Sequence, residues 1–127
     1  MKNEDSKKFY NNLLNKALDS IEGSSSLVVG NIFSSRDKEK NKGLIKEKIE
    51  ELRNSGVDIF NQLPFLDENL ENAPFEYELK FEIFYKGLIH SGKINKLFVL
   101  PNFVDSVGAK KEILFAEEKL IEIEYLK

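Results

Sequence analysis

The chain has no cysteine and no tryptophan, a single methionine, a single histidine and three prolines. Without cysteine there is no disulfide, no thiolate nucleophile and no Cys-type zinc site. Small secreted domains often depend on disulfides, so a cytoplasmic protein is expected. One histidine, His90, offers no ligand set for a metal and reads as a helix-terminal residue. No run reaches the roughly 18 apolar residues of a membrane span, so no membrane partner is expected. The first twenty residues are charged and amphipathic and lack the apolar stretch of a secretory signal. No basic face stands out either. The 19 basic and 22 acidic residues interleave, as in Arg36-Asp-Lys-Glu-Lys40, and the net charge is −3. Duplex nucleic acid needs a surface of one sign, so no nucleic-acid partner is expected. Neither a Walker loop nor a G-x-G-x-x-G is present, and no cofactor is implied.

What remains is the composition of one globular domain, 41% hydrophobic and 32% charged over 127 residues. Tyr10, Leu14, Ala17 and Ile21 recur at helical spacing and end in Glu22-Gly-Ser-Ser-Ser26. Residues 1–24 read as an appended helix and linker, and residues 25–127 as the domain proper. The helix packs on the domain or on a second subunit, and a homo-oligomer, dimer or higher, is the expected assembly.

Within the domain, Leu27 to Phe33 is apolar nearly throughout, as in a strand covered on both faces. Ile45, Ile49 and Leu52 mark a helix closed by Asn54-Ser-Gly56, with Gly56 as a left-handed cap. Val57 to Asn61 reads as a short strand. Tyr77, Phe81, Phe84 and Leu88 give a third helix an aromatic stripe. Lys96 to Leu100 is another apolar strand. Ala109, Ile113, Ala116 and Leu120 form the buried face of a last helix, and Ile121 to Tyr125 alternates as a strand with one wet side. Right-handed crossovers between these strands predict an α/β fold. It is a doubly wound, flavodoxin- or Rossmann-like parallel sheet of four to five strands in the order 2-1-3-4, with helices on both faces. Ligands in such sheets bind beyond the carboxyl ends of the strands where the winding reverses. Two segments are expected to meet there, Gly30 to Arg36 and Pro101 to Glu112.

The first segment offers backbone at Gly30 and Asn31, hydroxyls at Ser34 and Ser35, and the guanidinium of Arg36. Such groups hold a phosphate or sugar hydroxyls, although Ser-Ser-Arg-Asp is also an ordinary solvated loop. The second offers Asp105 or Ser106 as a helix cap, then Gly108 and Ala109, small residues that keep one helix face thin. Glu112 follows one turn beyond Gly108. It is either a surface glutamate paired with Lys110 or Lys119, or a carboxylate facing the crevice. A carboxylate there can attack an anomeric carbon or stabilise an oxocarbenium-like transition state.

Leu100-Pro-Asn-Phe-Val-Asp-Ser-Val-Gly-Ala-Lys-Lys-Glu-Ile-Leu-Phe-Ala116 resembles the signature of the nucleoside 2-deoxyribosyltransferase-like superfamily. The small bacterial and phage branch with Leu-Pro and then Ser-x-Gly-Ala-x-x-Glu is the closest pattern, and Val29-Gly-Asn-Ile-Phe-Ser34 resembles its first strand and loop. The resemblance implies that Glu112 is the catalytic nucleophile for N-glycosidic cleavage or deoxyribosyl transfer on a nucleoside or nucleotide. It further implies that Gly30 and Asn31 line the sugar and that Ser34, Arg36 and Ser106 are candidates for a 5′-phosphate. The superfamily also carries an aspartate on the helix before the third strand. Here an ungapped register puts Leu88 in that place, with His90 or Glu82 as substitutes if the register differs. A non-catalytic module that senses or sequesters a nucleotide is therefore the alternative.

Overall fold

In a computed structural model that describes residues 2–31, 38–65 and 79–127, three parallel strands form one sheet in the order β1-β2-β3. Strand β1 is Ser25–Val29, β2 is Ile94–Val99 and β3 is Glu122–Tyr125. Leu27, Val28, Leu97 and Val99 are buried, as expected of strands covered on both faces. The fold is mixed α/β. Among the described residues no helix is long and apolar enough to cross a membrane.

The segment expected as a strand over Val57 to Asn61 instead makes one parallel bridge, Ser26 to Ile59. Ser26 N–H donates to Asp58 O, and Phe60 N–H donates to Ser26 O. The ladder stops there because a side chain takes the next acceptor: Gln62 Nε2 donates to Val28 O at 2.5 Å. Pro64 has no N–H to extend the ladder, and the chain is already helical over Leu63–Phe65, α3. Among the described residues, three strands and a bridge stand where four to five strands were expected.

Helix α1 is Lys2–Asp19. Its Tyr10, Leu13 and Ala17 join the same core as the sheet residues. Burial holds the Tyr10 phenol pKa above its ordinary value. Lys93 Nζ donates to the carbonyls of Leu18 and Ile21, which ties the end of α1 to the entry of β2. Helix α4, Lys86–His90, follows a π-helical stretch, Lys80–Tyr85. The extra residue per turn keeps Phe81, Phe84, Tyr85, Leu88 and Ile89 all buried. Tyr77, read as the first residue of this stripe, lies outside the described residues. A Cβ on Gly87 would run into the Leu14 side chain, so α1 and α4 touch closely at that point.

Helix α2 is Lys38–Asn54, with Ile45 and Ile49 buried, and it packs on β1. It ends as expected: Gly56 has φ +92°, Gly56 N–H donates to Arg53 O and Val57 N–H to Leu52 O. Helix α5, Val107–Glu118, ends in the same double bond pattern, Leu120 N–H to Glu117 O and Ile121 N–H to Ala116 O. There the left-handed position holds a leucine, Leu120, with φ 55° and 93% exposure. Its helical spacing suggested burial, but the cap turns it out of the helix. An L side chain in this conformation costs about 1 kcal/mol, and Leu120 recovers almost nothing by burial. Leu120→Gly is expected to stabilise the protein by about 1 kcal/mol, read as a higher urea midpoint with unchanged slope.

Strand β3 is an edge with one wet side. Glu122 and Glu124 are exposed and flank Lys96 on β2 at 3.0 and 2.9 Å. Hydrogen bonds to Glu124 and Glu122 hold the Lys96 pKa above its ordinary value.

Candidate functional site

The chain leaves β1 through Gly30 and Asn31, and leaves β2 through Leu100 and a 3-10 turn, Pro101–Asp105. These two exits close on one another. Leu100 N–H donates to Val29 O at 2.8 Å, and Asn31 N–H donates to the Asn102 side-chain Oδ1 at 3.0 Å. Gly30 makes the approach possible. A Cβ there would stand 2.9 Å from both Asn102 Oδ1 and Leu100 Cδ1.

The hydrogen bond fixes which way the Asn102 carboxamide points. Its oxygen faces the Asn31 N–H, so its Nδ2 faces away. Asn102 Nδ2 and Asn31 Oδ1 are the two buried side-chain polar atoms without a hydrogen-bond partner among the described residues. One is a donor and the other an acceptor, and they sit in the same junction. Each such atom costs about 1–3 kcal/mol in the closed structure. Asn31 as a whole is 6% exposed.

Next to the junction, a cavity of about 380 Å3 lies between α2 and the turn after β2. Leu44, Glu47, Lys48 and Glu51 line it from the helix, and Leu100, Pro101 and Asn102 from the turn. Lys48 is engaged with Glu51 at 2.9 Å.

Beyond the turn, Ser106 is the N-cap of α5: its Oγ accepts from Ala109 N–H at 3.0 Å. Asp105, the other candidate cap, is exposed at the end of the 3-10 turn. Gly108 and Ala109 are buried, but the thin face they make is not open space. A Cβ on Gly108 would stand 2.6 Å from the ring tip of Phe81, which stacks on Tyr85. The gap expected to admit a ligand beside Gly108 holds a phenyl ring. Glu112 is 6% exposed, on a helix face it shares with Gly108, Ala109, Ile113, Phe115 and Ala116. It is therefore not a solvated surface glutamate.

The residues considered as a second acid lie elsewhere. Leu88 is fully buried in the core. Glu82 is exposed and faces Lys86 at 4.0 Å on its own helical stretch. His90 Nε2 lies 3.0 Å from the Phe115 carbonyl and 3.4 Å from Glu118, so it is bound to the far end of α5. Ser34 and Arg36 fall outside the described residues. Of the expected site residues, Gly30 and Asn31 meet the turn that leads into Ser106, and Glu112 is buried on the helix that Ser106 opens. Asn102 carries the contact between the two segments and was not singled out in the sequence. Its signal was slight, an asparagine after proline at a strand exit.

Comparison with known protein families, curated proteins and solved structures found no match to this chain.

Proposed function

We propose that the chain binds a nucleoside or nucleotide at the carboxyl ends of β1 and β2, as a sensing or sequestering module. The observation that carries this reading is the junction itself. Two strand exits from distant parts of the sequence are joined by the Asn31–Asn102 hydrogen bond, and an unpartnered donor and acceptor remain there. Parallel α/β sheets place ligands beyond the carboxyl ends of their strands. The bridge at Ile59 supports the finer, doubly wound order. Both ladder bonds of Ser26 on that side go to Asp58 and Phe60, which leaves β2 to pair on the other. The ligand class rests on the resemblance of Leu100 to Ala116 to the nucleoside 2-deoxyribosyltransferase-like signature.

Binding without turnover is favoured by the surroundings of Glu112. Cleavage of an N-glycosidic bond needs a group to receive or donate a proton as the base leaves. Leu88, Glu82 and His90 are each committed elsewhere. A second reading, cleavage or transfer through Glu112, is favoured by the burial of this residue on an otherwise apolar helix face. In that reading a Glu112 oxygen attacks C1′, the C1′–N bond breaks, and the base departs with the bonding electrons and takes a proton from water. Water or a second base then opens the glycosyl ester.

Incubation of the protein with deoxynucleosides and their 5′-monophosphates separates the two. Saturable binding with no free base is the expected result. Base release that disappears in Glu112→Gln would replace the first reading by the second, and absence of binding would remove both.

A further inference from the structure

We infer that the cavity between α2 and the Leu100–Asn102 turn is a subsite for a flat neutral heterocycle that presents a hydrogen-bond acceptor beside an N–H. Its walls set the class. Leu44 from one side and Leu100 with Pro101 from the other give two apolar surfaces, suited to the faces of a ring. The volume of about 380 Å3 accommodates a single or fused ring. Asn102 contributes a wall residue whose Nδ2 donor is covered and has no partner. Its terminal torsion is soft, so a small turn of the carboxamide brings that donor to a ligand acceptor. Glu47, also on the wall, accepts from a ligand N–H. Lys48 is held by Glu51, so no unengaged cation lines the cavity among the described residues, and an anionic group is disfavoured there.

This edge, an acceptor next to an N–H, is what nucleobases present. The inference deepens the nucleotide-binding reading and rests on it only for the identity of the natural ligand. It assigns the base to the α2 side of the junction.

The test uses the full-length chain labelled with 15N and titrated separately with uracil, cytosine, deoxyribose and inorganic phosphate. The Asn102 side-chain amide is assigned by its disappearance in Asn102→Asp, which retains an oxygen for the Asn31 N–H. Uracil or cytosine is expected to shift that amide and the Leu44 signals saturably, while deoxyribose and phosphate leave them in place. Leu44→Glu, at an exposed helix position, is expected to weaken base binding by about tenfold or more. Bases that leave the Asn102 amide unmoved, or that bind Leu44→Glu unchanged, overturn the inference. If free bases bind here but intact deoxynucleosides do not bind the protein, the subsite stands and the proposed function falls. If deoxynucleosides bind with shifts confined to Gly30, Asn31 and α5, the function stands and the subsite falls.

Discussion

Phe81→Ala is expected to lower stability by about 3–5 kcal/mol, the range for truncating a buried phenylalanine. Phe81 is 1% exposed, stacks on Tyr85 and fills the space beside Gly108. Truncation removes both the ring's transfer from water and the contacts it makes with the thin face of α5. The same fit read from the other side gives a paired result. Gly108→Ala places a methyl 2.6 Å from the Phe81 ring tip, and a stiff ring in a packed core yields at a cost of about 1–3 kcal/mol. In a Phe81→Leu background, where that ring tip is absent, the added cost of Gly108→Ala should fall markedly. Urea unfolding of the single and double variants measures the coupling. Equal costs in both backgrounds would show that Phe81 is not what Gly108 accommodates.

Gly30→Ala is the second large effect, and it reaches function as well as stability. The new methyl meets Asn102 Oδ1 and Leu100 Cδ1 at 2.9 Å each. Asn102 can turn slightly about its terminal torsion, but it cannot move clear of the new methyl while its oxygen holds the Asn31 N–H. Moving it breaks that bond and leaves another covered donor without a partner. A loss of about 1–3 kcal/mol in stability follows from crowding and the broken bond together. The proposed ligand site is built from the same two strand exits, so nucleoside affinity should fall by about tenfold or more as they separate. Differential scanning calorimetry and a binding titration on one preparation read both. Unchanged affinity in a folded Gly30→Ala protein would place the ligand away from this junction.

The apolar runs of the two inner strands were legible because burial on both faces leaves a clear mark. Leu27 to Val29 and Leu97 to Val99 are buried as expected. The cap at Gly56 was legible for a similar reason, since a left-handed residue after a helix selects glycine. Its counterpart at Leu120 was not, because leucine carries no such mark and its spacing matched the buried face of α5. The strand expected at Val57 shrank to a bridge through a side-chain event. Gln62 captures the Val28 carbonyl, and no periodicity announces that.

At the site, the meeting of the exits from the strands at Leu27 and Lys96 was expected from their being neighbours, but the close approach that Gly30 permits was not read from the sequence. The occupancy of the Gly108 face was invisible. A small residue on a helix records that something approaches closely, and a phenyl ring from the same chain satisfies that record as well as a ligand does. Of the two readings of Glu112, the solvated surface residue is excluded by its burial on α5, which packs against the Phe81 stretch.

The most direct measurement is a calorimetric titration of the full-length chain with the four deoxynucleosides and their 5′-monophosphates. Saturable binding of at least one, weakened about tenfold or more in Gly30→Ala and weakened in Asn102→Asp, is the predicted result. Heats of dilution alone for all eight, from a protein shown to be folded, would contradict a nucleoside site at the ends of β1 and β2.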